Sequence, residues 1–92
     1  MRIRGEVDLT NAIEVREAIS RVASPDVTVI LVDLTETAYL DSSGIAMLFR
    51  LAERLNERRQ QLRIVVPPNS PLRVALDLTN LPQTIPVQPT LE

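Results

Sequence analysis

The chain contains no cysteine and no histidine. The first absence excludes a disulfide framework, a thiol nucleophile and a thiolate metal site; the second removes the commonest general base and the commonest metal ligand. Lysine is missing too: all 10 basic residues are arginine, against 12 acidic ones, for a net charge of −2. That balance lacks the basic footprint of a nucleic-acid binder, and one Tyr and one Phe with no Trp leave no aromatic platform on which bases could stack. Glycine occurs twice, so Gly44 stands alone and forms neither a phosphate-cradling loop nor a dinucleotide loop. No apolar run approaches the ~18 residues of a membrane span, and no signal peptide opens the chain. A cytoplasmic protein with no membrane partner, no direct nucleic-acid partner, no metal and no cofactor is expected.

What remains is an ordinary globular balance, 45% apolar and 24% charged over 92 residues. That is enough for one small domain with a single core of Val, Leu, Ile and Ala.

Met1 to Gly5 could be the tail of a strand ending at Gly5. Asp8 to Asn11 is polar and turn-like. Asn11 with Glu14 three residues on fits a capping box, with Thr10 as a one-sided alternative. Ala12, Val15, Ile19 and Val22 then recur at helical spacing, opposite Glu14, Arg16, Glu17 and Arg21, which predicts a helix from about Asn11 to Ala23. After the stop at Ser24-Pro25-Asp26, the run Val27 to Leu34 is almost wholly β-branched or aliphatic. It reads as a strand covered on both faces. Thr35 to Leu40 reads as a connector, with Tyr39 packing at its end.

Ile45, Leu48, Phe49, Ala52 and Leu55 form the apolar stripe of a second helix running to Gln60, with Arg50, Glu53, Arg54, Glu57 and Arg58 as a solvated face. Met47 and Leu51 fall off the stripe, either second-layer core or exposed apolar surface. Leu62 to Val66 is the next strand, ended by Pro67-Pro68. Ser70-Pro71 is a helix start, a cap hydroxyl followed by proline, for a short helix carrying Leu72, Ala75 and Leu76. Thr79 to Pro82 closes it. Thr84 to Val87 fits a short edge strand, since Pro86 excludes a central position. The alternation predicts an α/β fold: a small mixed, mostly parallel sheet of about four strands with helices packed on it.

The most informative residues are Asp41-Ser42-Ser43-Gly44, between the apolar strand and the second helix. Nucleophilic catalysis fails here, because neither histidine nor lysine is present to activate Ser42 or Ser43. A helix start does suit a phosphate: its first backbone N–H groups lack internal partners and the helix dipole favours negative charge. Ser42 is therefore a candidate modification site. It could equally be a plain helix cap, Asp41 could merely favour the helix dipole, and Asp8 could be an ordinary turn residue.

Gly5-Glu6-Val7-Asp8 with Asn11-Ala12 resembles the glycine-acidic-apolar-aspartate opening of STAS domains. Val29 to Leu34, then Leu40-Asp41-Ser42-Ser43-Gly44-Ile45, is similar to their central signature, and Leu62 to Val65 with Pro71 to Leu81 to their later strand and helix. The Asp-Ser-Ser-Gly form looks most like bacterial anti-sigma factor antagonists. That resemblance implies a non-enzymatic partner switch. The free form binds an anti-sigma factor that is also a serine kinase and releases a sigma factor; phosphorylation at Ser42 ends binding, and a phosphatase resets it. It also implies a partner-binding surface of Asp8, Asp41, Ser43, Gly44 and Ile45, with Asp8 near Ser42. A phosphate would add about −1.5 to −2 charges beside these carboxylates, a switch by charge rather than refolding.

On the same comparison, residues 1–92 form a single STAS domain lacking the family's first strand and last helix, which leaves room for self-association through an exposed edge or patch. Two other roles are open to such a domain: an unphosphorylated scaffold subunit in a lipid-transport or stress-sensing complex, and a nucleotide- or small-ligand-binding module.

Overall fold

The computed structural model describes residues 1–91. The elements run β1 (Gly5–Val7), α1 (Ala12–Val22), β2 (Val29–Asp33), β3 (Thr37–Leu40), α2 (Ser42–Glu57), β4 (Gln61–Val65), α3 (Leu72–Leu78), a single 3-10 turn at Leu81–Gln83, and β5 (Val87–Gln88). The α/β alternation holds, and every strand pair is parallel: β1 with β3, β2 with β4, and β4 with β5 at the edge.

The opening strand begins at Gly5 rather than ending there. Residues 1–3 instead run beside β2, through the bridge Arg2–Asp33 and the bonds Ile3 N–H to the Asp33 carbonyl (3.0 Å) and Asp33 N–H to the Met1 carbonyl (2.6 Å). The chain then changes partner, and Gly5 N–H donates to the Glu36 carbonyl at 3.0 Å. Gly5 makes that change possible. It sits at φ +81°, a conformation open to glycine, and the register slips between Gly5 and Glu6. These residues join the β1–β3 pair to the three-stranded β2–β4–β5 sheet.

The stretch expected to be a mere connector contains β3. Thr37 and Leu40 point inward while Ala38 and Tyr39 are exposed, a pattern too short to register as alternation. Its pairing with β1, Val7 opposite Leu40, brings the β1–α1 and β3–α2 loops together. The fifth strand follows from this.

Helix α1 starts as expected, but not through a capping box. Asn11 makes no side-chain cap bond. Its amide turns back: Oδ1 accepts from Asp8 N–H at 2.9 Å and Nδ2 donates to the Glu6 carbonyl at 2.8 Å. Thr10 does not cap either; its N–H (2.9 Å) and hydroxyl both donate to Asp8 Oδ1. The side chains therefore order the β1–α1 loop and leave the helix start to the backbone.

Helix α2 is the spine of the core. It begins at Ser42, three residues before its apolar stripe, and buries Ile45, Met47, Leu48, Leu51, Ala52 and Leu55. Met47 and Leu51 are thus core, because α2 is covered by α1 on one side and by β3 and β4 on the other. Full burial of a Leu or Ile side chain is worth about 1.5–3 kcal/mol, so this helix anchors the domain. Arg59, at φ 59°, ends it. Gln60 then clamps the α1–β2 loop, its Nε2 donating to the carbonyls of Ser24 (2.7 Å) and Val27 (2.8 Å). Ser70 Oγ accepts from Leu72 N–H at 3.1 Å, but Pro71 rather than Ser70 is the N-cap of α3, whose first helical residue is Leu72. β5 lies at the sheet edge as expected, but it spans Val87–Gln88, so Pro86 precedes the strand rather than lying within it.

Candidate functional site

Two loops meet where β1 and β3 end. Asp41 N–H donates to the Val7 carbonyl at 3.1 Å. The Asp41 carboxylate then holds both loops: Oδ1 accepts from Gly44 N–H at 3.0 Å and Oδ2 from Leu9 N–H at 3.2 Å. Asp41 is therefore the N-cap of α2, and Ser42 is its first helical residue rather than its cap.

Ser42 is exposed, and its hydroxyl has no hydrogen-bond partner among the described residues. Ser43 is half-buried. Gly44 lies against β1, where an added Cβ would stand 3.1 Å from both Cγ1 and the carbonyl oxygen of Val7 and 3.2 Å from Cδ2 of Leu40. That close approach sets the pitch at which Ser42 and Ser43 emerge. Gly44 and Ile45 are buried, so any contact they offer a partner runs through the helix-start backbone rather than through side chains.

Asp8 is partly exposed in the adjacent loop. Its carboxyl is held below the ordinary carboxylate range, chiefly by the Thr10 hydroxyl and then by the Thr10 N–H. It stays ionised at neutral pH but is turned toward its own loop, outside the cavity described next.

That cavity, open and of about 330 Å³, separates the N-terminal halves of α1 and α2. From the first loop and α1 come Leu9, Ala12, Ile13 and Arg16. From α2 come Ser42, Ser43, Ala46, Met47 and Arg50. Leu9 is 77% exposed and Ile13 61%, an apolar rim that faces solvent. Ala12, Ser43 and Ala46 are small, which leaves the space between the helices. The described residues contain no group of His, Cys, Asp and Glu able to hold a metal ion, and no helix long and apolar enough to cross a membrane.

Four of these residues escape a reading of the sequence: Leu9, Ile13, Arg16 and Arg50. Arg50 reads there as part of a solvated face. The signal is a pair of helical spacings, Ala12 to Arg16 on α1 and Ser43 to Arg50 on α2, but only the packing shows that the two stripes face each other.

The STAS domain model matches residues 1–92. The chain belongs to the STAS domain family. Two curated relatives called anti-sigma-B factor antagonist, from Listeria monocytogenes and Listeria innocua, are each 32% identical over 60 residues, 65% of this chain and 53% of theirs. The chain thus spans about half the length of the curated relatives it matches. The crystal structure of an anti-sigma factor antagonist from Mycobacterium paratuberculosis has the same fold, with a TM-score of 0.80 at 28% identity over 98% of this chain and 75% of that one.

Proposed function

We propose that this protein is a cytoplasmic anti-sigma factor antagonist, switched off by phosphorylation of Ser42. The observation that carries the reading is the placement of Ser42: exposed, first in α2, with an unbonded hydroxyl at the edge of a cavity between two helices. The names of its relatives support an anti-sigma factor as the partner class; on this reading that partner is also the serine kinase. The protein itself is ligand and substrate, with no reaction of its own.

In the unphosphorylated form, Asp8, Asp41 and Ser43, with the backbone at Gly44 and Ile45, present the surface that the anti-sigma factor covers, and the sigma factor is released. The kinase then aligns the Ser42 hydroxyl with the γ-phosphorus of ATP. A bond forms from Oγ to phosphorus, the bond to the bridging oxygen breaks, ADP leaves, and the hydroxyl proton passes to a base on the kinase. The product carries about −1.5 to −2 charges at a surface already bearing two carboxylates, so the partner is expelled without refolding. A phosphatase returns the hydroxyl and releases inorganic phosphate.

The test is a binding measurement with the purified anti-sigma factor. Ser42→Ala retains affinity, while Ser42→Asp stays folded and loses more than about tenfold, ~1.4 kcal/mol. A folded Ser42→Asp protein that binds as wild type does contradicts the charge switch.

A further inference from the structure

We infer that Arg16 and Arg50 form a seat for the phosphoryl group carried by Ser42, within the cavity that Ser42 already lines. The inference rests on the reading of Ser42 as the modified residue, and adds what becomes of the phosphate after transfer.

Both guanidinium groups come from the lining of that cavity, Arg16 from α1 and Arg50 from α2. Neither has an ion pair or side-chain hydrogen bond among the described residues; Arg54, Arg58, Arg59 and Arg63 are likewise unpaired, but only Arg16 and Arg50 line the cavity. No carboxylate lines the cavity. Of the carboxylates beside lining residues in the chain, Asp41 accepts from Leu9 and Gly44, Asp8 from Thr10, and Glu17 pairs with Arg21. Two unpaired cations without an acid define a site for an anion. Arginine, with its planar fork of donors, is suited to phosphate oxygens.

The occupant is set by tethering. Ser42 lines the same cavity, so a phosphate on its Oγ meets the arginines at a high effective concentration. Helical side chains lean toward the N-terminus, which carries Arg50 back along α2 toward Ser42, while Arg16 approaches from the facing helix. The Ser43 hydroxyl lines the same space and can donate to a phosphate oxygen. Phosphorylation then closes the cavity as well as adding charge, and removes both arginines from any partner that had used them.

The test installs phosphoserine at residue 42 during translation, so it does not depend on a kinase recognising the protein. Phosphorus NMR follows its second ionisation with pH. In the otherwise wild-type chain this lies below the ordinary value of about 6. In Arg16→Gln/Arg50→Gln it rises by about one unit, the size expected for loss of a neighbouring opposite charge. The helix start acts equally on both proteins and cancels. Arg54→Gln, outside the cavity lining, leaves the value unchanged. The single variants Arg16→Glu and Arg50→Glu each raise it, and serve should the double variant melt.

Equal values in wild type and in the arginine variants overturn the seat. So does equal protection of the Arg16 and Arg50 guanidinium signals when the unmodified protein meets inorganic phosphate, which would assign the site to a free anion. A shifted value in a protein that no anti-sigma kinase modifies keeps the seat and defeats the functional reading; an unshifted value in a protein modified at Ser42 does the reverse.

Discussion

The carboxylate of Asp41 accepts the backbone N–H of Leu9 at 3.2 Å, across the gap between two loops 32 residues apart in sequence. Its other oxygen caps α2 through Gly44. One side chain therefore sets both the start of the helix that presents Ser42 and the position of the loop that carries Leu9 to the cavity rim. Asp41→Ala removes both bonds. We expect a loss of about 1–2 kcal/mol from the cap, seen as a lower denaturation midpoint, and faster hydrogen exchange at the Leu9 and Gly44 amides. Asp41→Asn retains an acceptor for one of the two amides and falls between.

Gly44→Ala sets two effects against each other. Alanine favours a helix interior over glycine by up to about 1 kcal/mol, and less at a first turn. Against this, the new methyl would stand 3.1 Å from two atoms of Val7, one of them backbone in a paired strand, and 3.2 Å from Leu40. Overpacking of this kind costs about 1–3 kcal/mol. Val7 is fully buried and cannot withdraw, so the steric effect wins. The variant should be less stable by about 1 kcal/mol or more in urea unfolding, and a midpoint at or above wild type contradicts this packing.

Acid stability turns on Asp33, 3% exposed between Thr35 and Arg2. Burial raises its pKa, but the Thr35 hydroxyl and N–H and the Arg2 guanidinium, 2.9 Å away, outweigh burial and hold it below the ordinary 3.8. A folded value below the unfolded one means that the unfolded chain binds more protons in that window. The stabilisation is complete above the ordinary value and is lost as pH falls through the folded one. Asp8 acts in the same direction. Urea midpoints measured from neutral pH downward should therefore fall more steeply below about pH 4 for wild type than for Asp33→Asn. Parallel profiles contradict the assignment.

The α/β order and the placement of Ser42 at a helix start were legible in the sequence, because both rest on local signals: a continuous aliphatic run, helical spacing, and a cap-forming cluster. β3 was not legible. A four-residue strand with two outward residues carries no periodic signal, and its existence depends on β1, thirty residues away. The capping box failed for a related reason, since Asn11 found better partners in Asp8 and Glu6 across the turn. The arginines of the cavity were hidden because a residue on a polar helix face looks solvated until the neighbouring helix is placed beside it.

The central claim is that the Ser42 hydroxyl receives a phosphate from an anti-sigma factor kinase. The most direct measurement incubates the protein with its anti-sigma factor and ATP, then locates the modification by fragment mass spectrometry. One added phosphate, confined to Ser42 and absent from Ser42→Ala, is the expected result. An unmodified protein, or a phosphate placed on another residue while Ser42 stays free, contradicts it.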